Sequence, residues 1–453
     1  MTISSIEELE QKVEKNKDSV TESDLDELQQ AALSGNYEAA YVLAGFYVQG
    51  NKDIHYNDEL NLKWLIFSAE NGYPPAMFML YNIYSGKYNG LGNMPNAPEK
   101  AWEWLNKSFD AGFVLAKREL GNCYRKGVIV DKDSEKAYAY YYDAMEDGDI
   151  PSIISLAEMF EDGDGVDKSD TAAFTLYEIA AKAKDAYSQS ILGDKYYHGI
   201  GTEKNLQLAY EWWVKSAEQE FPFAMLHLGL MYACGEYVKQ NYKKAVEWFE
   251  KSANLGLDQA QYELAFMYHE GLGIEQDLEK FLEWCKKAAE NGNADAQRVL
   301  GTIYYWGKDG VIKNLEQAFM WYTKAAEQND MQAQHSLGLM YLRGDYVDID
   351  YTKAFEWLMK SAKQGYPLAK CDIGIMYRNG EGVKQDYKEA AKWLIEAAEG
   401  GDGLAQFHIG KMYVQGNGVE KDFSKALEWF EKAHENGVKE ADEFICYFER
   451  TLR

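Results

Sequence analysis

The sequence predicts an all-α fold, a right-handed α/α superhelix of about eleven helical-hairpin repeats with helical caps. Nine aliphatic anchors are spaced by 36 residues, apart from one step of 37. Gly or Ala follows every anchor, and an aromatic residue lies four positions after it. A period of this length is typical of stacked repeat proteins, in which each unit packs on its neighbours. The anchors are Leu120, Leu156, Leu192, Leu228, Leu264, Leu300, Leu337, Ile373 and Ile409.

The anchors place one helix in the first half of each repeat. In the unit that begins at Phe221, Ala224, Leu228 and Tyr232 are spaced four residues apart and therefore share one helical stripe. Gly235 comes just after this stripe, where a left-handed residue can end the helix. Glycine recurs in that place along the chain, which predicts a helix end in each repeat. The other members are Gly127, Gly163, Gly199, Gly271, Gly307, Gly344, Gly380 and Gly416.

A second helix is predicted after a short loop in each repeat. Asn or Asp recurs at its start and is expected to cap it, because the side chain can accept from first-turn N–H groups. We expect the tryptophan of this helix to be an interior residue that pins one repeat onto the next. The caps are Asn205, Asn241, Asp277, Asn314, Asp350, Asp386 and Asp422. The tryptophans are Trp212, Trp248, Trp284, Trp321, Trp357, Trp393 and Trp429.

The two ends of the chain depart from the repeat pattern. Residues 1–35 are predicted to form an N-terminal helical cap, with helices at 5–15 and 22–34. Residues 36–437 hold eleven repeats of about 36 residues, and residues 438–453 form a C-terminal capping helix. Such caps shield the terminal faces of a repeat stack.

The repeated pattern resembles the Sel-like repeat (SLR) family, a relative of the tetratricopeptide repeats. The resemblance rests on an A-x3-L-G-x2-Y-x2-G stretch, as at Ala296 to Gly307. A later A-x2-W-x3-[AS]-A stretch, as at Ala318 to Ala326, supports it. The resemblance covers residues 36 to 437. It implies a helical-hairpin solenoid and a role as a cytoplasmic adaptor for other proteins.

Composition restricts the classes of partner and the compartment. The net charge of −27 disfavours nucleic acids and anionic membranes, whose charge a protein must neutralise. It suits a basic partner, although solubility alone also explains it. The N-terminus lacks the apolar segment of a secretory signal, and five cysteines at different repeat positions predict reduced thiols. These features predict a cytoplasmic location.

The sequence offers no catalytic, metal or cofactor site that can be singled out. The Gly-x-Gly loops resemble phosphate-binding loops, but they join two helices and recur in register, which favours a structural role. The seven histidines show no zinc-ligand spacing. We therefore predict a protein that is not an enzyme and needs no cofactor or metal.

A partner-binding groove is predicted on the first helices of units 221 to 380. Positions two, six and nine after the small residue lie away from the core stripe and are rich in aromatic, Leu and Arg residues, which are common interface anchors. The alternative is that these residues pack on adjacent first helices. The candidates are Leu226, Leu230, Tyr262, Phe266, His269, Arg298, Tyr305, His335, Leu339, Leu342, Ile375 and Arg378. Units three and four carry a more polar set, Arg118, Asn122, Arg125, Glu158 and Glu161.

Three functions remain open at the level of sequence. The first is a scaffold or adaptor that holds a protein or extended peptide in a concave groove. The second is an immunity-type inhibitor of one toxin or effector, as in some bacterial members of the family, and a basic target would suit the charge. The third is a secreted, host-directed effector. The partner is expected to be a protein or peptide, with a monomer favoured as the oligomeric state.

Overall fold

Helices account for the regular secondary structure in the computed structural model, which describes residues 21–49, 56–88 and 96–451. Twenty-four helices and no strand occur in these ranges. The prediction of an all-α fold built from helical repeats is therefore confirmed. The chain divides into two compact units, Met1–Gln219 and Glu220–Arg453, and each is described by itself. The helix predicted at 5–15 lies outside the described residues.

The described part of the N-terminal unit contains eleven helices. They are α1 (Glu22–Leu33), α2 (Tyr37–Gln49), α3 (Asp58–Glu70), α4 (Pro74–Tyr84), α5 (Pro98–Asp110), α6 (Val114–Lys126), α7 (Ser134–Glu146), α8 (Ile150–Asp162), α9 (Asp170–Lys182), α10 (Ala186–His198) and α11 (Leu206–Ala217). The helix α1 begins at a capping box, in which Thr21 and Asp24 bond each other's backbone N–H groups.

The described part of the C-terminal unit contains thirteen helices. They are α12 (Pro222–Cys234), α13 (Tyr242–Asn254), α14 (Asp258–Glu270), α15 (Leu278–Glu290), α16 (Ala294–Trp306), α17 (Leu315–Glu327), α18 (Met331–Arg343), α19 (Tyr351–Lys363), α20 (Pro367–Asn379), α21 (Tyr387–Glu399), α22 (Gly403–Gln415), α23 (Phe423–Glu435) and α24 (Ala441–Thr451). The last helix packs on α23 through stacked Phe430 and Phe444 rings, whose centroids are 4.7 Å apart.

Both sets of predicted helix ends are confirmed. The nine glycines predicted to end first helices adopt left-handed φ angles between 66° and 76°. The N–H of Gly235, for example, donates to the Met231 carbonyl and closes α12. The seven predicted Asn and Asp caps accept from N–H groups of the second helix, as Asn241 does from Lys244.

Two hydrogen bonds link the antiparallel helices of several hairpins. In the pair α12 and α13, the N–H of Asn241 donates to the Tyr232 carbonyl at 2.8 Å and joins the end of one helix to the start of the next. At the opposite end, Ser252 Oγ donates to the Pro222 carbonyl at 2.8 Å. The same serine bond recurs at Ser216 and Ser361. The bonds fix both the direction and the register of the two helices.

The residue after each anchor lies against a large side chain of the second helix. A Cβ added to Gly229 would lie 2.5 Å from the Phe249 ring, so only glycine fits there. Two hairpins use other pairs. In α8 and α9, Ala157 accompanies Tyr177, and both are buried. In α14 and α15, Ala265 replaces the glycine and Cys285 replaces the ring, and both are fully buried. In the other hairpins of this form, glycine faces Tyr141, Trp213, Tyr322, Leu358, Leu394 and Phe430.

The prediction that the tryptophans are interior residues is wrong for six of the seven. Only Trp321 is buried, at 7% exposed, while the others are partly exposed. The residue after each tryptophan fills the interior instead, because a helix turns by about 100° per residue. The lysine three positions after Trp284 lies 4.2 Å above the ring centroid and covers its outer face. Trp357, Trp393 and Trp429 still pack against clusters that join the second helix of the preceding hairpin to the first helix of their own.

Buried glutamines join successive hairpins in the C-terminal unit. The Gln297 amide on α16 donates to the Ala289 carbonyl on α15 at 2.9 Å, and its oxygen accepts from Gln328 at 2.8 Å. The residue therefore satisfies polar groups at the ends of two second helices at once. Gln261, Gln334 and Gln406 do the same in their repeats.

Candidate functional site

Four of the predicted groove residues share one position, two residues after the anchor, on the first helices of the C-terminal unit. Phe266 is the most exposed of them, with 45% of its surface accessible. Leu230, Leu339 and Ile375 are partly exposed at the same position of α12, α18 and α20. We call these four residues the apolar row. Thr302 and Lys411 interrupt or end it at the equivalent places of α16 and α22.

Two predicted groove residues do not lie on an accessible face. Leu226 is 1% exposed and His335 is 8% exposed. Both lie two residues after the small residue, a position at which Tyr262 and Arg298 are only partly buried. His335 Nε2 lies 2.8 Å from Asp372 Oδ2 on α20. The prediction that they contact a partner is therefore wrong, because the repeat junction covers them.

The polar members of the predicted groove are engaged within the chain. Arg298 donates to Asp295 at 2.6 Å and to Asp330 at 3.2 Å. Tyr305 donates to Asp345 at 2.7 Å, across the same repeat junction. The bonds to Asp330 and Asp345 link successive repeats, so Arg298 and Tyr305 help to hold the stack together.

The histidines of this face are engaged as well. His269 Nδ1 lies 2.6 Å from Glu270, and its ring contacts Phe281 with centroids 4.7 Å apart. Arg378 donates to His408 Nδ1 at 2.9 Å. Burial, together with the nearby cations Arg378 and Lys411, lowers the pKa of His408 to about 4, so the ring accepts as a neutral imidazole.

The remaining candidates are partly buried. They pack on adjacent helices with one side and leave the other side accessible to a partner. Leu342 and Ile375 pack with one side against clusters formed by neighbouring helices and expose the other. Tyr262 on α14 is partly buried, and burial with the nearby Asp295 raises its pKa. The accessible surface is thus narrower than predicted and centres on Phe266, with Tyr262 one turn before it.

The equivalent face of the N-terminal unit is polar and internally paired. Arg118 donates to Asp149 and Arg125 to Glu158, both at 2.8 Å. Glu161 binds Lys195 at 2.5 Å and accepts from Tyr177 at 3.0 Å. Since these charges pair with one another, this face leaves few of them available for a partner.

Two residues of the C-terminal unit were missed at the level of sequence. Trp306 ends α16 with 60% of its surface exposed, and its ring contacts Tyr305 with centroids 4.9 Å apart. Glu263 lies between Tyr262 and Phe266 on α14 and is partly buried. The signal for Glu263 was its position directly before an anchor, where Glu119 and Asp372 also occur.

The Gly-x-Gly loops have a packing role. The second glycine of each loop lies against the backbone of the second helix of the preceding hairpin, at its first turn. A Cβ added to Gly273, for example, would lie 2.3 Å from the backbone of Tyr242. The surface clefts beside these loops recur in several repeats, lined by residues such as Tyr232 and Lys244 or Tyr377 and Lys388. They belong to the architecture of the repeat. In the described ranges, no three His, Cys, Asp or Glu side chains form a group that could hold a metal ion.

Helices of the described ranges are all too short or too polar to cross a membrane. Each of the five cysteines lies in these ranges and is unpaired, with Cys234 and Cys446 exposed.

The fold and its surface define a helical-hairpin repeat protein, a class that acts as a scaffold for other proteins. Ten matches to the Sel1 repeat cover residues 83–113, 114–149, 151–185, 186–221, 222–257, 258–293, 294–330, 332–366, 367–402 and 403–438. The chain belongs to the Sel1 repeat family, and the resemblance inferred from sequence is confirmed.

Solved structures of this fold are similar to the chain. A protective antigen of uropathogenic Escherichia coli with an SLR fold is 34% identical, covering 95% of this chain and 91% of its own, with a TM-score of 0.66. A Sel1 repeat protein of Oxalobacter formigenes is 29% identical, covering 54% and 96%, with a TM-score of 0.47. An immunity protein of Pseudomonas aeruginosa is 18% identical, covering 51% and 82%, with a TM-score of 0.30. The comparison with curated proteins gave no match.

Proposed function

We propose that the protein is a non-enzymatic adaptor that holds a segment of a partner protein against the first helices of its C-terminal unit. The observation that carries this proposal is the apolar row, in which Phe266 is 45% exposed, while Arg298 and Tyr305 of the next repeat are bound within the chain. Exposed apolar and aromatic side chains of this kind are typical of interface anchors. Membership of the Sel1 repeat family supports a scaffold role.

The triple variant Tyr262→Ala, Phe266→Ala, Leu339→Ala tests this proposal. We expect it to weaken partner binding by about 3 kcal/mol or more, because centrally placed anchors contribute most of the affinity. The measurement is affinity capture from native cells with quantitative mass spectrometry, followed by calorimetry with the purified partner. The helical content should not change.

A matched control removes the same kinds of side chain elsewhere. Leu278, Tyr351 and Tyr387 are exposed first residues of second helices, and replacing them by Ala should leave the captured partner unchanged. Equal loss in both variants would show a general surface effect. Full binding by the groove variant would contradict the proposed surface.

A dedicated inhibitor of one basic protein is the second candidate function. The net charge of −27 favours it, because electrostatic attraction accelerates encounter with a basic target. An inhibitor should capture one partner at one-to-one stoichiometry and prevent growth arrest when that partner is expressed. An adaptor should capture several partners, and its removal should not make any one of them toxic.

The location and oligomeric state are part of the proposal. Five unpaired cysteines support a reducing cytoplasm, and we expect a monomer in sedimentation. The relation to a protective antigen supports the opposite location, since an antigen must be accessible to the host. Antibody labelling of intact and lysed cells separates the two, and labelling of intact cells would contradict the cytoplasmic proposal.

A further inference from the structure

Three first helices carry an acidic residue directly before the anchor: Glu119 on α6, Glu263 on α14 and Asp372 on α20. Two of these carboxylates have partners inside the chain. Glu119 accepts from Tyr81 at 2.7 Å and from Asn122 at 3.0 Å, and it pairs with Lys87. Asp372 binds His335 at 2.8 Å. In both cases the preceding repeat supplies a donor.

Glu263 has no hydrogen-bond or ion-pair partner among the residues that the structure describes. His335, which binds Asp372, lies on the first helix of the preceding repeat. The equivalent residue for Glu263 is Leu226, which is apolar and buried. After burial, the repulsion from Asp295 is the second cause that raises the pKa of the Glu263 carboxyl. Arg298, one repeat further on, is already bound by Asp295 and Asp330. An unneutralised carboxylate thus lies in a partly buried position.

Two aromatic residues of α14 lie within one turn of Glu263, and the carboxylate is close enough to Tyr262 to contribute, after burial, to its raised pKa. Tyr262 precedes Glu263, and Phe266 lies three residues after it on the same face of α14. Burial and the repulsion from Asp295 raise the pKa of the Glu263 carboxyl. A charged group without a partner in such surroundings costs free energy, which a cation would offset.

We propose that Glu263 is the docking carboxylate for a Lys or Arg side chain of the partner segment. The ammonium or guanidinium group binds the carboxylate, while Tyr262 and Phe266 pack on the alkyl stem and on a neighbouring apolar residue. This inference rests on the proposed function and specifies the chemistry of its partner. The chain's net charge of −27 complements a basic segment. Arginine suits the site best, because its planar group can bind a carboxylate through two hydrogen bonds and stack on a ring.

A library of random 12-residue peptides displayed on phage tests the proposal on the full chain. We expect selected peptides to share an Arg or Lys beside one or two apolar residues. The synthesised peptides are then titrated against the wild type, Glu263→Gln and the triple variant of Tyr262, Phe266 and Leu339. Glu263→Gln should weaken binding about 10- to 100-fold, as expected for a partly buried charge pair. It should also reduce the salt dependence of the affinity.

The matched control is Glu119→Gln, which removes one charge from the same repeat position in the other unit. Its peptide affinity should stay within about two-fold of the wild type, because Glu119 is bound by Lys87 and Tyr81. Thermal unfolding of each variant, followed by circular dichroism, confirms that the proteins titrated are folded.

The outcomes separate this inference from the proposed function. Peptides without a basic residue overturn the role of Glu263, as does unchanged affinity in Glu263→Gln while the triple variant loses binding. The proposed apolar surface would survive both results. No enrichment of peptides, or binding that the triple variant leaves intact, would overturn the proposed surface and this inference together.

Discussion

At the scale of the residue, the same amino acid at the same repeat position has opposite energetic roles. Glu119 and Glu263 both precede an anchor, but only Glu119 receives hydrogen bonds from neighbouring side chains. Burial opposes the charged form of Glu119, yet bonds from Lys87, Tyr81 and Asn122 outweigh it and lower the pKa of that carboxyl. For Glu263, burial and Asp295 both raise the pKa. The difference follows from the neighbours and not from the residue.

The pair gives a prediction about stability. At pH 7, Glu263→Gln should raise the free energy of unfolding by about 1 kcal/mol, because a poorly solvated charge is removed. Glu119→Gln should lower it by about 1–3 kcal/mol, because charged hydrogen bonds are lost. Urea unfolding of both variants checks the two signs. A destabilised Glu263→Gln variant would show that the carboxylate has an internal partner.

The dependence on pH has opposite directions at the two sites. The pKa of Glu263 is raised in the folded protein, so its ionisation opposes folding. The wild type should therefore lose stability relative to Glu263→Gln as the pH rises from about 4.3, the pKa of the unfolded chain, through the folded pKa. A lowered pKa means that the contribution of Glu119 is present above about 4.3 and is lost as the pH falls through its folded pKa. Stability measured from pH 3 to 8 for each variant tests these windows.

At the scale of the element, the hairpin is defined by the fit between one small and one large position. Glycine after the anchor lies against a ring or a leucine in most hairpins, and a Cβ there would come within 2.4–2.8 Å of that side chain. In the hairpin of α14 and α15, Ala265 and Cys285 occupy the same two positions, and both are fully buried. A glycine accommodates the larger side chain, and alanine fits where the facing residue is as small as Cys285.

A double-mutant cycle tests this fit in α12 and α13. Gly229→Ala should cost about 1–3 kcal/mol through overpacking against Phe249. Phe249→Cys should cost about 3–5 kcal/mol through the cavity it leaves. The double variant reproduces the Ala265 and Cys285 pair, so its cost should be clearly less than the sum. Additive losses of unfolding free energy would contradict the complementary-size argument.

At the scale of the whole molecule, the stability of a repeat protein depends on the links between neighbouring repeats. Buried glutamines supply such links in the C-terminal unit, because each bonds the ends of two second helices. Ion pairs such as Arg298 with Asp330 add to them on the accessible face. These links therefore set the spacing of the first helices, and with it the spacing of the apolar row that a partner would bind.

The replacement Gln297→Ala tests the coupling of repeats. It removes the two side-chain bonds of Gln297, although the Ala289 carbonyl keeps the Gly292 N–H and the Gln328 amide keeps the Gly292 carbonyl. The loss of two hydrogen bonds should cost about 2 kcal/mol. Unfolding should also become broader, because the repeats on either side no longer unfold together. Exchange of α15 and α17 amide hydrogens, measured by mass spectrometry, should increase. The exposed Gln332→Ala serves as the control and should change neither property.

The sequence by itself determined the helices and their pairing. Anchors, left-handed glycines and Asn or Asp caps act within about one helical turn, so a regular spacing reveals them directly. It also determined the family, since ten repeats share the same pattern. The side of the helix on which a residue lies was predicted less accurately, as the tryptophans show. One step along the helix turns a side chain by about 100°, so an error of one residue moves it out of the interior.

Only the tertiary structure decided which residues of the first helices are accessible. Leu226 and His335 are covered by the repeat junction, while Phe266 remains exposed at a neighbouring position. It also decided which charges are paired, because Arg298 and Asp330, or His335 and Asp372, are more than thirty residues apart in sequence. Burial and pairing depend on the spacing between stacked helices, which no local pattern encodes. The lone carboxylate of Glu263 became visible for that reason only when its neighbours were in place.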